Sequence, residues 1–135
     1  MKSNRIIVMC SLLTVAAAAI LTGCKGATKS GTPYTVLANG SIQAYLNGNL
    51  ATVHETAVKV LREDFLYTVT RDSHDALEGI IEAKTARNAT VRVETFKNSD
   101  DSTKTRVFAG MVGETTLAND ILSKIEASLP AAADK

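Results

Sequence analysis

The sequence predicts an α+β domain: a two-layer sandwich in which a mainly antiparallel sheet of four to five strands carries two helices on one face, in the order β-α-β-β-β-β-α. Three observations predict it. Apolar residues alternate with period two over several runs between residues 41 and 109, the mark of half-buried strands. After Leu50 and after Leu117 they recur at helical spacing instead. The links between the period-two runs are short and polar, which suits antiparallel neighbours, and two helices with one apolar stripe each can cover one sheet face. At 135 residues and 14.3 kDa the chain has room for one ordinary domain.

The elements follow in order. The domain is expected to run from 34 to 130, with a tail at 131–135. Ser41-Ile42-Gln43-Ala44-Tyr45-Leu46 places Ile42, Ala44 and Leu46 on one side, a first strand that Asn47-Gly48-Asn49 ends. Leu50, Val53, Ala57, Val60 and Leu61 then share a helical face, capped by Asn49 or by the box Thr52-x-x-Glu55, with the helix reaching about Asp64. Phe65 to Thr70 reads as a strand and Arg71-Asp72-Ser73-His74-Asp75 as the turn after it. Leu77, Gly79, Ile81 and Ala83 alternate with Glu78, Ile80, Glu82 and Lys84. Thr90 to Phe96 and Thr103 to Ala109 repeat the pattern on either side of the polar loop "KNSDDS". Leu117, Ala118, Ile121, Leu122, Ile125 and Leu129 make the second helix, which Pro130 closes. With three Phe, three Tyr and no Trp, the core must be mostly aliphatic.

The segment ahead of the domain has its own logic. Lys2 and Arg5 precede an uncharged stretch from Ile6 to Gly23, the layout of a secretory signal. The 16 residues from Ile6 to Leu21 fall short of the ~20 that span a bilayer core. Residues 1–23 are therefore expected to be a cleaved signal peptide.

Leu21-Thr22-Gly23-Cys24 resembles the bacterial lipobox, a branched apolar residue three positions before a cysteine with small residues between. A thiol is nucleophilic enough to take a diacylglycerol as a thioether, and Gly23 leaves the peptide bond before Cys24 open to a signal peptidase. The resemblance implies cleavage between Gly23 and Cys24 and palmitate-type lipid on Cys24, whose freed amine is also open to acylation. Each buried methylene adds about 0.8 kcal/mol, so two or three long chains anchor a protein stably. A residue other than aspartate after the cysteine, here Lys25, is compatible with transfer to the outer membrane. "KGATKSGTP", residues 25 to 33, is rich in small polar residues, so 24–33 is expected to be the lipidated cysteine and a flexible tether. Cys10 departs with the signal and Cys24 is blocked, which excludes a disulfide, cysteine catalysis and thiolate metal sites.

Further residues carry a family resemblance. The lipobox, a helix beginning near Asn49, "ALEGIIEAK" at 76–84, and Gly110-Met111-Val112-Gly113-Glu114 leading into "LANDILSKIEASL" resemble a family of small bacterial lipoproteins whose single domain has no known function. The likeness covers about Ser41 to Leu129 and implies a fold, not an activity.

No enzyme is expected. Asp72-Ser73-His74-Asp75 holds every residue type of a hydrolase triad, but adjacent residues in a turn diverge, whereas a triad sets a serine and a carboxylate on opposite nitrogens of one imidazole. His54 is expected at the edge of the first helix's solvated face. Two histidines without a spaced carboxylate make a poor metal site, so neither metal nor cofactor is expected. Gly110 and Gly113 precede a helix whose positive end Glu114 already faces, which reads as a turn and cap. Asn88-Ala89-Thr90 matches a glycosylation sequon and reads as the start of a strand. With 15 basic and 14 acidic residues there is no broad field to collect nucleic acid.

The feature with functional promise is the far side of the sheet. If Leu77, Ile81, Val91, Val93, Val107 and Ala109 face the helices, then Tyr45, Ile80, Phe96 and Phe108 face away among Arg92, Glu94, Lys104 and Arg106. Aromatic bodies with charged rims suit a docking surface. The expected function is a membrane-anchored envelope lipoprotein of non-catalytic, structural or protein-interaction role, periplasm-facing on the cell membrane or outer membrane. The alternative is a small-ligand module, binding lipid or peptide between sheet and helices.

Overall fold

The computed structural model describes residues 24–131; residues 1–23, expected to be a signal peptide, and the last four residues lie outside them. Seven strands form one antiparallel sheet: β1 (Lys25–Ala27), β2 (Pro33–Val36), β3 (Ile42–Asn47), β4 (Thr68–His74), β5 (Glu78–Lys84), β6 (Thr90–Lys97) and β7 (Ser102–Ala109). Their spatial order is β1-β2-β3-β7-β6-β5-β4. Two helices, α1 (Leu50–Lys59) and α2 (Thr115–Ser128), cover one face. The α+β class holds, and the sheet has seven strands rather than four to five.

The additional strands are β1, which lies within the expected tether, and β2, which starts at the tether's last residue, Pro33. Lys25 pairs with Thr35 and Ala27 with Pro33, and β2 continues the sheet by pairing Val36 with Ile42. The turn between them is fastened to the end of α2. Thr28 is buried and donates to Glu126 Oε2 at 2.5 Å, while the Thr32 hydroxyl donates to Glu126 Oε1. Lys29 adds its backbone N–H to Ser123 Oγ at 3.2 Å and its ammonium to Asp120. Small polar residues that read as linker are here a hairpin whose hydroxyls find one carboxylate. Cys24 is exposed, and its carbonyl accepts from Val36 N–H at 3.2 Å.

Asn49 caps α1, its Oδ1 accepting from Thr52 N–H at 2.9 Å, so the alternative box is not used. The helix widens in its last turn, Val60–Asp64, where Phe65 N–H reaches the carbonyl of Val60 five residues back. Leu66 then turns the chain with φ +54°. The strand that follows, Thr68–His74, starts and ends later than expected, so Arg71 to His74 is strand, not turn. A bulge interrupts its pairing with β5 between Val69 and Arg71. The turn to β5 is Asp75 to Leu77, and Leu77, expected under the helices, is exposed within it.

The layer between sheet and helices is mostly aliphatic, with Thr95, Thr103 and Thr105 also buried in it. Ile42, Leu46, Ile81, Val93 and Val107 from the strands meet Val53, Leu61, Ile121 and Ile125 from the helices in one buried cluster. At one end of the sheet the β2–β3 and β7–α2 loops touch backbone to backbone. Gly40 and Gly113 both have positive φ, and a Cβ on Gly113 would stand 2.7 Å from Asn39 O, so both sites require glycine.

Candidate functional site

Among the described residues, one ionisable side chain is buried in the covered layer, under β4 and β5. His54 belongs to the buried face of α1 and is 1% exposed. Its Nε2 is 2.8 Å from Asp72 Oδ1 and its Nδ1 is 3.3 Å from Thr95 Oγ1. The His74 ring lies over it, with centroids 4.5 Å apart. Gly79 makes this possible, because a Cβ there would collide with His54 Nδ1 and stand 2.7 Å from Thr95 Oγ1. A glycine within a strand often marks such a close approach.

The bulge sets which β4 side chains join the group. Val69 pairs with inward-facing Ala83, but Thr70 is inserted, so Arg71 pairs with outward-facing Glu82 and Asp72 with inward-facing Ile81. Were Thr70 an ordinary paired residue of the strand, simple alternation from Val69 would turn Arg71 and Ser73 inward and Asp72 and His74 outward. Asp72 and His74 therefore face the helix side and Ser73 the open side. This corrects two expectations: His54 is buried rather than solvated, and Asp72 to His74 is strand rather than turn. The placement also separates Ser73 from both imidazoles. Thr95, the hydroxyl that does touch His54, is fully buried, so it lacks the access that a hydrolase nucleophile needs. Asp75 has a different task. It accepts from the N–H groups of Leu77 and Glu78 at 2.7 and 2.9 Å, and these bonds hold its carboxyl below the ordinary value of 3.8.

The open face is built from three cross-strand rows. Tyr45 pairs with Lys104, Lys104 with Phe96, and Phe96 with Glu78. Gln43, Arg106, Glu94, Ile80 and Ser73 form the second row, and Phe108, Arg92, Glu82 and Arg71 the third. Arg92 Nη2 meets Glu82 at 2.8 Å and Arg106 Nη1 meets Glu94 at 3.2 Å. Lys104 Nζ stands 4.8 Å from the Phe96 ring centroid, a cation–π contact. Tyr45, Ile80, Phe96 and Phe108 thus all lie on the side away from the helices. A shallow hollow of about 330 Å³ opens between Ser41, Arg92, Arg106 and Phe108.

Cys24 marks a third region. The register places it at the sheet end where β3 and β6 begin and β2, β5 and β7 finish. Met111 and Val112, 90% and 87% exposed, protrude from the β7–α2 loop at that end, and Leu66, 80% exposed, lies two residues before the start of β4. Lys25 and Arg87 bring positive charge to the same end. Among the described residues no helix is long and apolar enough to cross a membrane.

These features define a small α+β domain with one open sheet face, a buried imidazole paired with a partly exposed carboxylate, and an exposed cysteine just before its first strand. The chain belongs to the family described as Protein of unknown function (DUF3568), whose model matches residues 5–128. No curated protein matches it.

Proposed function

We propose that the protein is a lipid-anchored component of a bacterial envelope, with a non-catalytic, structural or protein-interaction role, periplasm-facing on the cell membrane or outer membrane. The observation that carries the reading is the company Cys24 keeps. Its carbonyl is part of the sheet, and the same end of the sheet exposes Leu66, Met111 and Val112 beside Lys25 and Arg87. Acylation at Cys24, with cleavage after Gly23, would set that end directly on the bilayer, with no slack between lipid and fold. Apolar side chains would enter the interface while cations meet anionic headgroups. The open sheet face would then rise from the membrane beside the anchor, free to meet a second envelope protein through Tyr45, Ile80, Phe96 and Phe108. The small-ligand alternative has less to support it, because the aliphatic cluster fills the space between sheet and helices.

The test is the intact mass of the membrane-extracted protein beside Cys24→Ala, followed by crosslinking in the same membranes. Loss of an acyl-sized mass in the variant supports the anchor; equal masses overturn it. Phe96→Asp and Phe108→Asp should remove crosslinked neighbours while leaving the circular dichroism spectrum unchanged. Neighbours retained in both variants would exclude the open face as the docking surface.

A further inference from the structure

We infer that His54, Asp72 and His74 form a binding site for a single divalent cation of the zinc class, held at the β4 edge of the sheet. One ligand atom from each of the three residues can be chosen so that all lie within 4.8 Å of one another. Tetrahedral zinc with ligand bonds of 2.0–2.1 Å needs separations of about 3.3 to 3.4 Å. The His54–Asp72 pair, at 2.8 Å, must open slightly, and the exposed His74 must close by a side-chain rotation. Two imidazoles and one carboxylate favour zinc and its transition-metal neighbours over calcium or magnesium, which prefer oxygen ligands.

Three features built into the fold converge on this group. The inserted residue in β4 turns Asp72 and His74 inward together. Gly79 gives the His54 ring its place and presents no side chain between the strands. Thr95 Oγ1 stands at the second ring nitrogen of His54, where a ligating histidine needs an acceptor to fix its tautomer. On binding, neutral His54 carries its proton on Nδ1, facing Thr95, and its Nε2 lone pair turns to the cation. Asp72 supplies the negative charge. A structural His–Asp pair accounts for the inward turn of Asp72, and with it that of His74 two residues on, but it does not require the His74 ring to lie over that of His54. His74 is exposed and Asp72 is partly so, which leaves a fourth coordination position open to water.

The chain contains two histidines, so imidazole signals can be assigned without ambiguity. The experiment uses the full chain purified in detergent and stripped of metal, titrated with Zn²⁺ against a chromophoric chelator and followed in parallel by ¹⁵N imidazole NMR. One equivalent should bind, shifting the ring nitrogens of His54 and His74 together. His74→Ala and Asp72→Asn should each weaken binding by about tenfold or more, with His74→Ala unfolding at the wild-type temperature in chelator. Absence of stoichiometric binding, unmoved imidazole resonances, or equal affinity in wild type and His74→Ala would each overturn the site and leave His54–Asp72 as a structural pair.

Discussion

The two faces of the sheet answer to different physics. On the covered face, Ile42, Ala44, Ile81, Val91, Val93 and Val107 are fully or almost fully buried aliphatic groups, and their worth lies in area removed from water and in close packing. On the open face, Arg92–Glu82 and Arg106–Glu94 lie across neighbouring strands in partly solvated surroundings, where such pairs add up to about 1 kcal/mol each. Stability is therefore concentrated on one side. The other is free to carry recognition, since changes there cost little fold. The largest expected effect follows: Ile81→Ala should lower unfolding free energy by about 2 to 5 kcal/mol, whereas Phe108→Asp should cost no more than about 1 kcal/mol. Urea unfolding of both variants checks this, and similar losses would break the contrast.

The covered face is itself divided, and Gly79→Ala sharpens the division. The added methyl would press on His54 Nδ1 and Thr95 Oγ1, so overpacking should cost about 1 to 3 kcal/mol. Where aliphatic groups meet, a methyl is ordinary currency; here it displaces a ring held between two hydrogen-bond partners. The loss should be accompanied by a changed His54 imidazole resonance, which NMR reads directly.

These differences also decide what the sequence could reveal. Period-two runs gave β5, β6 and β7 and the outward placement of Tyr45, Ile80, Phe96 and Phe108, because each run keeps one phase throughout. β4 does not. Its inserted residue reverses the phase midway, so Asp72-Ser73-His74 reads as turn chemistry, and His54 reads as the edge of a solvated helix face because its hydrogen-bond partners are 18 and 41 residues away. The one local signal was Gly79, an unfilled position among branched residues in a strand. The β1–β2 hairpin was illegible for another reason. Thr28 and Thr32 have no apolar periodicity, and their partner Glu126 lies 98 and 94 residues further on.

That hairpin supplies the next prediction. Glu126→Ala leaves Thr28 and Thr32 without their acceptor and should cost about 1 kcal/mol, below the usual range for charge-assisted bonds because the site is partly solvated. Amide hydrogen exchange should accelerate at Gly26 and Thr28 while β5 to β7 keep their protection. Uniform acceleration across the sheet would show that the hairpin is integral to the cooperative core instead of an attached edge.

The smallest effect belongs to Asp75, at the turn beside the histidine pair. Its carboxylate accepts two backbone N–H groups, first from Leu77 and then from Glu78, and these depress its pKa below 3.8. A carboxylate with a lower pKa in the folded state contributes stability that is whole above the unfolded value and is lost as pH falls through the folded one. Asp75→Ala should therefore be less stable than wild type at pH 6, with the gap closing below about pH 4 as the wild-type carboxyl takes up its proton. Paired thermal melts across this range measure it. A gap independent of pH would mean that the side chain acts through turn geometry alone, and the ordering of the β4–β5 connection would then rest on its backbone bond from Asp75 N–H to Glu78 O at 2.8 Å.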